Sequence, residues 1–500
     1  MVYFQGPFWE DKMDPSMRKA KGVLLPPVGR RRPRRGDLYR TLRTAVLGGV
    51  FAPGDRLPST RQAADDYGVS RGLMEEVFGQ LTDEGFFERA VGRGTFITSE
   101  VAGLHSCQKP TARQLRARGP SQRGLVLSGN AACREPEIPR AFNAGIADTS
   151  EFPWKAWCRL QARAARELGP GALSFADPRG VPELRGAIAR YLAQFRGIRC
   201  TPRQVMIFNS SQQALNALSL LLLNRGEPVW VEDPCYLGAE AAFNLAGAQV
   251  VPVPVDDDGL IVEVGIKRAS RAGLAYVTPS HQYPTGVALS LERRIELLEW
   301  AKRNDSWVIE DDYDGEFRYS GQPLASLYSL DSHGRVLYLA TLSKSMFISL
   351  RLAYLVAPEE LVEPLANIRT QMDGFTSAMV QMTMSIFMEE GHFSSHLRRM
   401  RWLYEAKRNR LIEGLASMAV LGWTWSQNPA GLHLLVRHKR GKYVRAMVDR
   451  SKLDLALLSR YCKERIHDDG LFLRFGALDP QDLQDGIEQL TVEAERTAKM

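Results

Sequence analysis

Five hundred residues exceed what a single ordinary core organises, so two or more domains are expected, and with 44% hydrophobic residues but no apolar run near the roughly 20 needed to cross a bilayer, no membrane span is expected. The net charge of +8 sits wholly in the first quarter: residues 1–123 hold 21 Lys and Arg against 13 Asp and Glu, whereas residues 124–500 hold 44 of each. A basic module joined to a neutral larger part predicts a polyanionic partner for the small part alone.

The first 36 residues form a basic segment expected to be disordered, with an arginine-rich flank from Arg30 to Arg35. Tyr3-Phe4-Gln5-Gly6 reads as the remnant of a protease-cleavage site, so the first ten or so residues stand outside the fold argument. There is no charged-then-apolar leader pattern. The six cysteines (Cys107, Cys133, Cys158, Cys200, Cys235, Cys462) form no Cys-x-x-Cys pair. A reducing, cytoplasmic compartment without a disulfide framework or metal site is the expectation.

Residues 37–98 read as one small domain. Leu38, Leu42, Ala45, Val46 and Val50 recur at helical spacing, and Gly48-Gly49 and Pro53-Gly54 end that helix. Ser59 is placed to cap a second helix carrying Arg61, Ala63, Ala64 and Tyr67. Gly68-Val69 makes a tight turn, and Ser70 caps a third helix through Leu73, Val77, Phe78 and Leu81. Two helices joined by a short turn, the second with Arg71 in its first turn, describe a helix-turn-helix. Two short strands around Gly92-Arg93-Gly94 add a β-ribbon with an arginine at its tip. An arginine there can read guanine or bind phosphate, or can pair with a nearby carboxylate such as Asp65, Asp66, Glu75 or Glu76.

Residues 99–140 are rich in Arg, Pro, Gly, Gln and Ser and read as a linker with little fixed structure. Its arginines (Arg113, Arg116, Arg118, Arg123) are either solvated or touch DNA.

From residue 141 to 500, short apolar runs alternate with helical segments. The runs include Val205–Phe208, Val229–Val231, Gln249–Val253, Leu274–Val277, Trp307–Glu310, Val336–Ala340 and Leu352–Val356. That alternation predicts an α/β domain with a mainly parallel sheet. Later strands at Leu432–Val436 and Leu471–Phe475 predict a small C-terminal α+β lobe.

Several strand ends carry chemistry. Ser211 and Gln212 open a helix after a strand, where free backbone N–H groups suit a phosphate as well as an ordinary cap. Tyr236 follows a strand and can stack on a planar ring or simply pack. His281 lies in a turn-rich loop, Thr278 to Gly286, where a structural histidine is the commoner outcome. Glu310-Asp311-Asp312-Tyr313 ends another strand; Asp311 can pair with a protonated ring nitrogen, while Asp312 is expected to be solvated. Then comes Thr341-Leu-Ser-Lys-Ser, with Lys344 between Ser343 and Ser345 and Arg351 further on. A lysine flanked by hydroxyls and followed by an arginine suits a Schiff base to an aldehyde cofactor whose phosphate is held alongside. A solvated loop lysine is the commoner alternative for that stretch alone.

The stretch FAPGDRLPSTRQAADDYGVSRGLMEEVFGQLTDEGFFERAVGRGTFI closely resembles the winged helix of the GntR superfamily of transcription factors. That resemblance implies DNA contacts by Arg61, Ser70 and Arg71, with Gly92 to Gly94, including Arg93, as the wing. The large domain resembles fold type I pyridoxal 5′-phosphate (PLP) enzymes of the aspartate aminotransferase class. By that resemblance Lys344 forms the internal aldimine, Asp311 pairs with the pyridine nitrogen, Tyr313 bonds the ring hydroxyl and Tyr236 stacks on the ring. Ser211, Gln212, Ser343 and Arg351 hold the phosphate, with Thr341 a further candidate, and Arg474 grips an effector carboxylate. The fused layout, with the phrases SHQYPTG, EDDYDGEFRY, TLSKSMFISLRLAYLVAP and AGLHLLV, resembles the MocR/GabR group of regulators. This implies a homodimer with swapped DNA-binding modules, paired or direct-repeat operator sites on double-stranded DNA, and an amino-compound effector sensed by aldimine exchange at Lys344. A true aminotransferase and a sensor of PLP itself are the alternatives; chemistry limited to external aldimine formation or partial transamination is expected. Three departures stand out. Phe175 replaces the tyrosine that reaches a neighbour's phosphate. Tyr283-Pro-Thr-Gly286 replaces Asn-Pro-Thr-Gly, so His281 or Gln282 is expected to take the asparagine's contact. Leu237-Gly238 stand where γ-aminobutyrate-sensing members carry a second arginine, which argues against γ-aminobutyrate.

Overall fold

The computed structural model describes residues 25–28, 33–101, 119–128, 141–142, 145–321, 324–451, 453, 455–464 and 469–499. They fall into two compact units, parted between Ser121 and Gln122. Most of the basic segment 1–36 and of the linker, with Arg113, Arg116 and Arg118, lies outside the described residues.

In the N-terminal unit, α1 (Arg35–Leu47), α2 (Thr60–Tyr67) and α3 (Arg71–Asp83) bury the periodic residues Leu38, Leu42, Val46, Ala63, Ala64, Val77, Phe78 and Leu81 in one core. Both serine caps form: Ser59 Oγ accepts from the Gln62 N–H at 3.2 Å and Ser70 Oγ from the Leu73 N–H at 3.3 Å. Each satisfies a helix-end donor that would otherwise be unpaired. Gly68, at φ 65°, takes the left-handed conformation that lets the chain turn directly from α2 into α3. Strands β1 (Phe87–Ala90) and β2 (Gly94–Ile97) pair antiparallel, with Phe87 opposite Ile97. Phe78 meets Phe87 edge-on at 5.3 Å, fastening this ribbon to α3.

One part of the expected linker is ordered. Gln122–Ser128 forms a helix, and Arg123 donates to the Leu245 carbonyl of the large unit.

The large unit is built on an eight-stranded sheet in the order β3-β10-β9-β8-β7-β4-β5-β6. The strands are β3 (Val205–Phe208), β4 (Pro228–Asp233), β5 (Gln249–Asp256), β6 (Gly259–Leu260), β7 (Leu274–Val277), β8 (Trp307–Asp311), β9 (Val336–Thr341) and β10 (Ala353–Val356). Five neighbours, β9, β8, β7, β4 and β5, run parallel. β10 lies antiparallel between β3 and β9, and β6 is a short antiparallel edge. The connection Leu342–Leu352 is too short for a crossover helix, so β10 must return antiparallel. Along β9, Tyr338 and Ala340 enter the core on one face and Leu337 and Leu339 the core on the other. Burial on both faces explains the continuous apolar spelling of these strands.

A second, four-stranded antiparallel sheet follows: β11 (Trp423–Trp425), β12 (His433–His438), β13 (Ala456–Leu457) and β14 (Gly470–Arg474), ordered β11-β12-β14-β13. The helices His392–Ala419 and Pro480–Ala498 accompany this C-terminal lobe.

Because β4, β7, β8 and β9 are parallel, their C-terminal ends share one edge of the sheet. Two reversals, at β10 and β3, bring the end of β3 to that edge too. Open sheets of this kind bind ligands there.

Candidate functional site

The residues just beyond those strand ends are Ser211 and Gln212 after β3, Tyr236 after β4, His281 after β7, Asp311 and Tyr313 at β8, and Thr341, Ser343 and Lys344 at β9. The fold thus brings together candidates spread over more than a hundred residues.

Asp311 is buried, 4% exposed. Its Oδ2 accepts from the Tyr276 hydroxyl at 2.8 Å, while Oδ1 is buried with no hydrogen-bond partner among the described residues. Burial pushes this carboxyl up to about 7, against the opposing pull of the Tyr276 hydrogen bond; the Lys344 ammonium also holds it down. A buried, unpaired carboxylate oxygen is costly unless a donor comes to it. A protonated pyridine nitrogen is such a donor.

Lys344 is half-buried, and its Nζ donates to the Gly145 carbonyl. Thr341 Oγ1 accepts from the Ser343 N–H at 3.2 Å, shaping the turn that presents the lysine. Arg351 is one of three non-glycine residues at positive φ among the described residues (φ 54°). A left-handed arginine, where glycine would be easier, points to a use for its side chain.

Ser211 and Gln212 open the helix Ser211–Leu222, capped by Ser210 Oγ on the Gln213 N–H at 3.2 Å. The Gln212 side chain donates to the Gly238 carbonyl at 2.8 Å, and its backbone N–H lies in the first turn of that helix. Gly238 has no room for a side chain: a Cβ would lie 2.3 Å from Gln212 Oε1 and 2.4 Å from the Tyr236 ring. A side chain at this position would have to displace Gln212 or Tyr236.

Arg474 ends β14. Its Nη2 donates to the Tyr283 and Tyr461 hydroxyls, each at 2.9 Å, and its guanidinium lies 4.9 Å from the Phe472 ring centre. A guanidinium can hold a carboxylate through two parallel N–H bonds.

The structure corrects two expectations. Asp312 is buried at 3% exposure, paired with Arg196 and accepting from the Tyr338 hydroxyl at 2.6 Å. It points to the sheet face opposite Asp311, as strand alternation demands. Gln282 cannot stand in for the missing asparagine. Its Nε2 donates to Glu232, the Pro234 carbonyl and the Tyr283 carbonyl, and its Oε1 accepts from Thr285 N and Oγ1. His281 is buried and contacts Tyr313 Oη at 3.0 Å and Asp314 Oδ2 at 2.9 Å through Nδ1.

Sequence reasoning missed Tyr276, Asp314, His433 and Tyr461. Tyr276 is hidden inside an apolar strand run, and His433 shows only as a polar interruption of one. Asp314, within the tyrosine loop, was the findable signal.

In the N-terminal unit Arg61, Arg71, Gly92 and Arg93 are all exposed. Arg71 lies 3.4 Å from Glu75, one helical turn on, while Arg61 makes no ion pair among the described residues. Ser70 spends its oxygen on the cap but keeps a hydroxyl hydrogen to donate.

The two halves match two known families: "Bacterial regulatory proteins, gntR family" over residues 34–97 and "Aminotransferase class I and II" over residues 142–462. This combination defines a class: a DNA-binding regulator whose second domain is an aminotransferase-type PLP domain. Within that class the chain belongs to the MocR/GabR subfamily of GntR-family transcriptional regulators. It is 34% identical to the probable rhizopine catabolism regulatory protein MocR of Rhizobium meliloti, over 92% of this chain and 93% of that one. It is 33% identical to the regulator TauR of Rhodobacter capsulatus (76% and 80% covered) and 30% to the pyridoxine biosynthesis regulator PdxR of Corynebacterium glutamicum (90% and 93%). The large unit resembles the α-aminoadipate aminotransferase LysN of Thermus thermophilus, solved with N-(5'-phosphopyridoxyl)-L-leucine, at TM-score 0.65 and 27% identity over 71% of this chain and 92% of that one. A kynurenine aminotransferase of Pyrococcus horikoshii, solved with PMP, matches at 0.66 and 26% over 77% and 96%. PLP is the cofactor of this domain. Among the described residues no helix is long and apolar enough to cross a membrane.

Proposed function

We propose that this PLP-dependent regulator senses a primary amine bearing an acidic group, received at Lys344 and Arg474, and passes the signal to its winged helix. The observation that carries the reading is the unpaired, buried Asp311 Oδ1 at the sheet edge that also presents Lys344. Asp311 would meet the pyridine nitrogen and Tyr313 the ring hydroxyl, with Tyr236 against the ring. The backbone N–H groups of Ser211 and Gln212, with Ser343, Arg351 and Thr341, would hold the phosphate. Bound PLP supplies a carbonyl carbon that can pass from the lysine amine to an incoming amine. Arg474 orients the effector through its acidic group, and Tyr283 and Tyr461 hold the guanidinium in place. Lys344, once released, remains as the local proton carrier.

Arg61, Ser70, Arg71 and the Gly92-Arg93 tip are the proposed DNA contacts. Leu173 and Phe175 are 91% and 93% exposed on the large unit, which supports pairing of two copies through that surface. In such a homodimer, paired operator sites match paired winged helices. The relatives named for rhizopine catabolism and for pyridoxine biosynthesis differ in chemistry, which supports an effector chosen by each protein's own pocket.

The test titrates amines, amino acids and amino sulfonates into PLP-loaded protein, following visible absorbance and operator binding together. An effector should change both, and Lys344→Ala should abolish both responses. A Lys344→Ala protein that responds normally on DNA overturns the reading. Keto-acid production over repeated turnovers would instead favour an aminotransferase, and a DNA response to PLP alone a vitamin sensor.

A further inference from the structure

Tyr313, His281 and Asp314 form a chain that the cofactor contacts do not by themselves explain. His281 Nδ1 lies 2.9 Å from Asp314 Oδ2 and 3.0 Å from the Tyr313 hydroxyl oxygen. Taking Asp314 as a carboxylate places the hydrogens. Asp314 is 3% exposed, and a carboxylate oxygen facing a lone pair at 2.9 Å would leave no proton between them. Nδ1 therefore carries the hydrogen. A nitrogen that carries hydrogen cannot accept from Tyr313, so the tyrosine oxygen shares that N–H and the tyrosine's own hydrogen must go elsewhere.

The plane of the ring is held, and turning it over would set Cδ2 in place of Nδ1 against Asp314. Gly431, at φ 79°, lies so close that a Cβ there would be 1.9 Å from His281 Cε1, and one on Gly286 would be 3.2 Å from Nε2. The His433 ring stands on another side, 4.6 Å between centres. His281 is held between two glycine backbones and a second imidazole.

We propose that Asp314 and His281 are positioning residues for the cofactor: they fix the Tyr313 oxygen as an acceptor of the His281 N–H and so turn the Tyr313 hydrogen towards the phenolic oxygen of PLP. The inference rests on the assignment of Tyr313 to the ring hydroxyl. Its effect is to make Tyr313 a standing donor, strengthened because a hydroxyl that accepts one hydrogen bond donates the next one better. The charged and titratable groups around this chain are Asp311, Glu232, Tyr283, Lys344, Arg474 and His433, and all of them remain in the variants below.

The experiment is a pH titration of the cofactor's visible absorbance in the full-length, PLP-loaded protein. Removing a donor from the phenolate raises the pH at which the band changes, since the phenolate then competes better for the neighbouring proton. Tyr313→Phe should raise the midpoint by about one pH unit, the equivalent of a charge-assisted hydrogen bond. His281→Phe and Asp314→Ala should move it the same way by about half as much. The double variant His281→Phe/Tyr313→Phe should move it no further than Tyr313→Phe alone, because the histidine acts through the tyrosine. Asp314→Asn, whose amide oxygen still accepts from Nδ1, should stay near the wild-type midpoint. If His281→Phe does not load PLP, the Asp314→Ala and Asp314→Asn pair decides the matter. Unmoved midpoints in His281→Phe and Asp314→Ala, or shifts that add to that of Tyr313→Phe, overturn the proposal. So does one zinc per chain in the purified protein, since His281, Asp314 and His433 place ligand atoms within 4.8 Å of one another and a metal on Nδ1 would displace its hydrogen. An unmoved midpoint in Tyr313→Phe itself would instead remove the cofactor assignment on which the inference rests.

Discussion

Asp311 shows how one atom can define a site. Its carboxyl is raised to about 7 by burial, and Glu232, Glu310 and Glu316 are raised to about 7 in the same way. An acid whose folded value lies above its unfolded value, about 4, stabilises the fold where it holds its proton. That contribution is complete below about pH 4 and is lost as pH rises through about 7. The cofactor-free protein should therefore lose thermal stability between pH 5 and pH 8. Asp311→Asn should flatten this dependence by roughly 2–4 kcal/mol of stability at most, leaving the part due to the three glutamates. Calorimetry of the apo protein across that range measures it; an unchanged slope in Asp311→Asn would mean that Asp311 does not hold a proton there. The same oxygen was visible in the sequence only as one of two adjacent aspartates. Strand alternation, not spelling, sends Asp311 towards Tyr276 and Asp312 towards Arg196.

At the scale of elements, the turn after β4 carries a close packing that the sequence shows only as a glycine. Gly238 lies between the Tyr236 ring and Gln212, so Gly238→Ala must displace one of them. PLP affinity should fall about tenfold, roughly 1.4 kcal/mol, with little change in folding, as read by absorbance titration. Full PLP affinity in Gly238→Ala would show that neither side chain matters to the cofactor. In the winged helix, the Arg71–Glu75 pair is exposed and worth under about 1 kcal/mol to folding. Breaking it frees the arginine. Glu75→Gln should tighten operator binding several-fold without moving the melting temperature, while Arg71→Ala and Arg61→Ala should each weaken binding by about tenfold or more. Fluorescence anisotropy with an operator duplex distinguishes these outcomes, and weaker binding by Glu75→Gln would contradict the placement of this helix on DNA.

For the whole molecule, charge and function divide along the chain. All of the net +8 lies before residue 124, and the rest is neutral. DNA affinity should therefore fall steeply with salt, by about tenfold or more between 50 and 200 mM, while PLP uptake changes little by comparison. Parallel titrations at several salt concentrations would show it; a flat salt response of DNA binding would detach the basic excess from that role.

The sequence by itself determined the elements and the chemical classes. Helical spacing, serine caps and Gly68 laid out the winged helix; apolar runs gave every strand flanking the site to within a residue or two; Lys344 and Arg351 could be singled out from local spelling, and Arg474 only through the resemblance to the aminotransferase class. These are local properties, set by backbone preference and the periodic burial of side chains. Tertiary structure alone decided what depends on residues far apart in the chain. Tyr276 meets Asp311 because β7 and β8 are neighbours in the sheet, Arg196 reaches Asp312 from the end of the helix Pro182–Phe195, and Tyr461 meets Arg474 from the short turn before β14. His281 meets Asp314 because a loop after β7 closes over a loop after β8, and Gly431, just before β12, packs against its ring. Hydrogen-bond saturation removed Gln282 as a cofactor contact and left one oxygen of Asp311 open. No count of residue types contains that information, since it is set by which atoms already have partners once the chain is folded.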